Sequence, residues 1–133
     1  MYKYFTQFFS RNGIIEKYKL ENRVLIGSVR DSVNENLKQL SRGKITVFSG
    51  LKEVISWYFA YLLEIRGIVN PPQVLAIPNL PRMMPITENF IKAVKEQNSK
   101  LHIFTINDKE QILKFKALGL DGVMTDNPYL FEK

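Results

Sequence analysis

Six polar residues, Ser28, Ser49, Asn79, Asn107, Thr125 and Asp126, each follow a short aliphatic or β-branched run and precede a helical or turn pattern. In parallel β/α folds these are the positions where strands end and helices begin, and the chemistry of such folds sits there. Taken singly, each is an ordinary helix cap or turn residue. Six on one rim make a polar face, and that face is the candidate site. Acid–base chemistry has less to draw on. The single histidine, His102, falls at the beginning of its expected strand, away from the rim, and reads as a structural residue. The chain has no cysteine, which excludes disulfides, thiolate metal sites and thiol nucleophiles. No Walker loop, zinc-ligand spacing or Gly-x-Ser-x-Gly elbow occurs in it.

The elements that must position this rim alternate along the chain. Four times a short strand-like run leads into a helical pattern and then a glycine or proline stop, the rhythm of parallel β/α units. The first unit places a strand at Val24 to Gly27, then a helix from near Asp31, capped by Asp31 or Ser32, with Val33, Leu37 and Leu40 on one face and a stop at Gly43. The second runs from Ile45 to Phe48 into a long helix, Leu51 to about Arg66, closed by Gly67. Its Trp57-Tyr58-Phe59 stretch reads as a face packed on a sheet rather than on lipid. The third has a strand at Val74 to Ile77, a loop from Pro78 to Pro85 stiffened by prolines, and a Thr87-capped helix carrying Phe90, Ile91 and Val94. The fourth has a strand at His102 to Ile106 and a helix that Asn107 and Asp108 start, with Asn107 and Glu110 forming a capping box and Gly119 supplying a left-handed stop. Gly122 to Met124 makes a final strand, and Asn127-Pro128 starts a terminal turn. A leading helix is expected from Tyr2 to about Lys19, interrupted at Asn12-Gly13.

With 133 residues, 45% of them hydrophobic, the chain reads as one globular α/β domain: a leading helix over 1–20, then β/α units over 21–133. The net charge of +6 comes from lysines and arginines spread along the chain, which suits a solvated basic surface better than a nucleic-acid partner. The longest mainly apolar run, Val54 to Leu63, is about half the length of a spanning helix, and no signal peptide is visible. These readings place the protein in the cytoplasm.

The segment LHIFTINDKEQILKFKALGLDGVMTDNPYLF, Leu101 to Phe131, resembles the end of glycerophosphodiester phosphodiesterases, where Trp-Thr-Val-Asn leads through a helix to Gly-Val-Asp-Gly-Ile-Ile-Thr-Asp-x-Pro. RVLIGSV, Arg23 to Val29, is similar to the family's fifth strand with its Ser-Phe ending, and AIPNLPRMMPITENFIKAVKEQ resembles the segment before the Trp-Thr-Val-Asn strand. Together these cover most of residues 20 to 131.

The resemblance implies a TIM barrel, a fold of about 250 residues with its site at the C-terminal mouth, of which this chain would be the second half, strands five to eight. It also implies hydrolysis of a glycerophosphodiester to glycerol 3-phosphate and an alcohol, with two histidines as acid and base and a calcium or magnesium ion held by carboxylates. The family's His-Arg-Gly, Glu-x-Asp and later His-Asp pair are absent from the sequence, so no catalytic or metal residue is carried over. The chain alone is expected to be inactive and to bind no cation. Four substrate-binding positions are carried over: Phe104 in place of the mouth's Trp, Asn107, Asp126 and Ser28. The alternative is a non-catalytic half-barrel that binds or interacts, with its open edges favouring self-association.

Overall fold

The computed structural model describes residues 13–65 and 71–131. They belong to two compact units divided between Leu51 and Lys52. In the first unit the elements are α1 (Ile14–Lys17), β1 (Leu25–Ile26), α2 (Asp31–Leu40) and β2 (Thr46–Val47). β1 and β2 pair in parallel, Leu25 beside Thr46 and Ile26 beside Val47. A parallel pair needs a crossover, and α2 provides it by burying Leu37 against the unit's interior. Where β2 ends, Gly50 comes so near α2 that a Cβ on it would lie 2.5 Å from the Asp31 carboxylate. Only glycine fits there.

The second unit contains α3 (Leu51–Leu62), β3 (Val74–Pro78), α4 (Glu88–Glu96), β4 (Lys100–Phe104), α5 (Lys109–Ala117), β5 (Gly122–Val123) and a closing 3₁₀ turn, Pro128–Phe131. Its sheet has the order β3-β4-β5, all parallel. Ala76 lies beside His102, and His102 beside Gly122, so one row crosses all three strands. Leu75, Ile77 and Leu101 pack under α3 and α4 in a core centred on Phe90, which is fully buried. The Phe90 ring stands nearly perpendicular to Trp57 at 5.7 Å and to Tyr61 at 5.0 Å, the edge-to-face geometry that aromatic quadrupoles favour. A smaller cluster of Ile103, Ile106 and Ile112 joins β4 to α5.

All five helices among the described residues end in the same way. A residue with positive φ follows the last turn, and the next N–H reaches back five residues: Leu20 to Ile15, Gly43 to Lys38, Ile65 to Ala60, Ser99 to Val94, and Leu120 to Phe115. The left-handed residues are Lys19, Arg42, Glu64, Asn98 and Gly119. This closure satisfies carbonyls that the helix leaves unpaired.

The alternation of β/α units stands as expected, with shifts at several ends. α3 stops at Leu62 rather than near Arg66 because Glu64 adopts the left-handed conformation expected of Gly67; Gly67 itself lies outside the described residues. α2 begins at Asp31, but its cap position is Arg30, not Asp31 or Ser32, and Arg42 turns left-handed one residue before Gly43. β4 begins at Lys100, two residues earlier than expected, because its ladder with β3 starts at Val74 beside Lys100. His102 is therefore mid-strand rather than at the strand's beginning. The helix after β4 is capped by Asp108, whose carboxylate accepts from the Gln111 N–H at 2.7 Å, and not by Asn107. Thr87 and Asn127 do cap, accepting from the N–H groups of Phe90 and Tyr129. Most of the expected leading helix, Tyr2 to Lys19, lies outside the described residues.

The His102 ring lies over Gly122 so closely that a Cβ there would sit 2.5 Å from its Cε1 atom. Gly122→Ala should cost about 1–3 kcal/mol in urea unfolding by overpacking. The same substitution in a His102→Ala background should cost markedly less, and equal costs in both would contradict the contact.

Candidate functional site

The C-terminal ends of β3, β4 and β5 come level, and hydrogen bonds lock them together. The Asn79 N–H donates to the Phe104 carbonyl at 2.6 Å, and the Ile106 N–H donates to the Met124 carbonyl at 3.0 Å. Asn107 is the hub. Its side-chain carbonyl accepts from the Thr125 hydroxyl and from the Asp126 N–H, and its amide donates to the Asp126 carboxylate, each at 2.9 Å. Thr125 in turn accepts from the Asn127 N–H at 3.1 Å. All three bonds of Asn107 therefore run from the end of β4 to the end of β5, which is why it is not available to cap α5.

Phe104 ends β4, partly exposed, on the same face of the sheet as Lys100 and His102, opposite the buried Leu101 and Ile103. The peptide bond from Phe104 to Thr105 is cis. Asn79 sits at the end of β3 with its amide 3.5 Å from the Gln111 side-chain oxygen. The second unit thus brings Phe104, Asn107, Thr125 and Asp126 to neighbouring strand ends: an aromatic wall, an amide and a carboxylate. Such a set can bind a polar ligand through hydrogen bonds and apolar contact.

Ser28 and Ser49 belong to the first unit. Ser28 lies two residues past β1, and its hydroxyl accepts from the Arg30 N–H at 3.2 Å, a local turn contact. Ser49 is buried at 2% exposure. The residue that organises this unit's strand ends is one the sequence reading passed over, Asn34. It is buried on α2, accepts from the Ser28 N–H at 2.7 Å, and donates to the carbonyls of Ser28 and Phe48. Its signal was present: Asn34 stands three residues before Leu37 and shares that residue's buried face. Asn34 joins the ends of β1 and β2 as Asn107 joins those of β4 and β5.

His102 is half-buried, and burial is the main cause that holds its imidazole below the usual 6.5; Asp121 opposes this and Lys100 adds to it. The Asp121 carboxylate is itself engaged by the Leu101 N–H at 2.9 Å. Among the described residues no group of three or more His, Asp or Glu could hold a metal ion, so the residues present do not fit the cation that the resemblance implies. No helix among them is long and apolar enough to cross a membrane.

Comparison with known proteins bears on this site. Residues 15–130 match the model of the glycerophosphoryl diester phosphodiesterase family. A glycerophosphodiester phosphodiesterase from Caldanaerobacter subterraneus subsp. tengcongensis is 27% identical over 115 residues, covering 86% of this chain and 43% of the relative. A crystal structure from Silicibacter pomeroyi, of a protein provisionally assigned as a glycerophosphoryl diester phosphodiesterase, superposes with a TM-score of 0.56 at 15% identity. That superposition covers 87% of this chain and 38% of the other, and it shows a shared fold. The chain spans less than half the length of both proteins.

Asn107→Ala removes three hydrogen bonds between strand ends, partly exposed to water, and should cost about 1–2 kcal/mol. Amide exchange at Asp126 should accelerate more than exchange at Ile103; unchanged Asp126 protection would refute the hub. For His102 the sign follows from its lowered folded value. The unfolded chain takes up a proton near 6.5 that the folded chain resists, so stability rises with pH through the window just below 6.5 and is flat above it. Subtracting the pH–stability profile of His102→Gln from that of the wild type should isolate this rise, and a flat difference would contradict it.

Proposed function

Because the chain belongs to the glycerophosphoryl diester phosphodiesterase family, we propose that it serves the hydrolysis of a glycerophosphodiester to glycerol 3-phosphate and an alcohol, as one part of a barrel completed by strands outside these residues. The observation that carries this reading is the family match across residues 15–130. An eight-stranded barrel with its site at the strand C-termini gives the level ends of β3, β4 and β5 a place at the mouth. We read the described strands as the second half of that barrel, strands five to eight, with β5 as its last strand.

In this reading Phe104 forms an apolar wall for the substrate, and Asn107 and Asp126 offer it hydrogen-bonding groups, while Ser28 is a separate candidate at the strand ends of the first unit. In-line displacement at phosphorus needs a base for the attacking water, an acid for the leaving alkoxide and a positive charge on the phosphoryl oxygens. His102 sits mid-strand in β4, and the described residues form no cation site. Acid, base and the calcium or magnesium ligands therefore come from the completing strands, and the 133-residue chain alone is inactive. In isolation its open strand edges pair with a second copy.

The test is a chimera in which the part of the Caldanaerobacter enzyme preceding its matched region is fused to this chain. The chimera should sediment as a monomer and release glycerol 3-phosphate from glycerophosphocholine with magnesium or calcium. The chain alone should self-associate and release none above a buffer blank. Turnover by the chain alone would overturn the proposal, as would a cooperatively folded but inactive chimera, which would favour a non-catalytic half-barrel.

A further inference from the structure

The loop that follows β3 is held at both ends. At its root, Pro78 lies beside Phe104 in the ladder, and the Asn79 N–H donates to the Phe104 carbonyl. At its far end, Met84 and Ile86 pack against the core around Phe90, and the Pro85 carbonyl accepts from the Tyr58 hydroxyl at 3.4 Å. Between these anchors the N–H groups of Met83 and Met84 both donate to the Leu80 carbonyl, at 3.0 and 2.8 Å. They close a tight turn with Pro81 at its second position, where proline's fixed φ is favoured. The turn leaves Arg82 exposed, and its guanidinium has no hydrogen-bond or ion-pair partner among the described residues.

Charge gives that free guanidinium a role. Phe104, Asn107, Thr125 and Asp126 include a carboxylate and no cation, whereas a phosphoester brings an anion to them. The Asp126 carboxylate is already engaged by the Asn107 amide at 2.9 Å. Lys100 stands at the opposite end of β4, and Lys109 lines the apolar groove beside β5. We propose that Arg82 is the residue of this chain that binds the substrate's phosphate, its guanidinium donating two parallel hydrogen bonds to phosphoryl oxygens while the glycerol carbons lie against Phe104. This inference rests on the glycerophosphodiester reading above. Arg82 is three residues from Asn79, so its Cα lies within about 11 Å of the Asn79 Cα; the closed turn shortens that span, and an arginine side chain is long enough to cover much of the rest. A planar guanidinium matches two phosphoryl oxygens at once. A loop already fixed by its turn and anchors has little backbone freedom left to lose on binding.

Titrating the full chain with glycerol 3-phosphate at constant ionic strength should shift the backbone amide resonances of Arg82, Phe104 and Asn107 along one saturating curve, with half-saturation in the range of about 1–10 mM. Inorganic phosphate, which has no carbons to lie against Phe104, should bind several-fold more weakly. Arg82→Gln, at an exposed position, should weaken glycerol 3-phosphate binding about fivefold or more, and Arg82→Lys should restore part of the loss. Lys109→Gln removes the same charge from the next loop and should change the affinity less than about twofold. Unmoved resonances at about 50 mM glycerol 3-phosphate, equal affinity for inorganic phosphate, or equal losses in Arg82→Gln and Lys109→Gln would each overturn the inference. None of these results would touch the glycerophosphodiester reading itself, which stands or falls on turnover by the chimera.

Discussion

The three-stranded sheet depends on one row of side chains, Ala76, His102 and Gly122, lying side by side across β3, β4 and β5. A ring as large as imidazole fits in the middle of that row only because its neighbours are small, and at Gly122 because no side chain exists at all. Parallel strands have no hairpin to fix their register, so packing must do it. Once the row is set, Pro78 falls beside Phe104 and the Met124 N–H reaches the Ile103 carbonyl. The strand ends are then level, and Asn107 can reach Thr125 and Asp126. The geometry of the candidate site is a consequence of a glycine on the opposite half of its own strand.

The two asparagines Asn34 and Asn107 solve the same problem in the two units. Parallel strand ends leave main-chain groups beyond the last ladder bond, and a carboxamide offers a donor and an acceptor on one rigid plane. Asn34 works from a buried helical position and Asn107 from the strand end. A carboxylate at either place would accept but not donate. The strand-end polar residues are thus first a means of holding loops in place, and a ligand site is built on what that network leaves exposed.

Much of this was legible in the sequence because periodicity survives local detail. The β/α alternation, the Phe90 core face, the Thr87 cap and the Gly119 stop all follow from residue types with one dominant preference. The errors fell where preferences compete. Asn107 and Asp108 are both good caps, and Asp108 takes the role because the register of β4 and β5 draws Asn107 across the sheet. The left-handed stops at Lys19, Arg42 and Glu64 carry a side chain that ordinarily disfavours positive φ. The closing hydrogen bonds outweigh that preference, and no single-residue propensity shows it. Within the candidate site, residue types were readable, while their partners depended on a register set by His102 and Gly122.

Parallel sheets are ordinarily covered on both faces, and the second unit is not. One face of β4 buries Leu101 and Ile103 under helices, while Lys100, His102 and Phe104 on the other remain partly exposed. β5 has a single neighbour. Beside it runs a groove of about 550 Å³ whose lining includes Ile112, Leu113, Val123, Leu130 and Phe131, with Leu113 and Phe131 more than half exposed. An open face, an open edge and an apolar groove thus meet at one border, beside β5 and α5, and burial and strand pairing are least complete there.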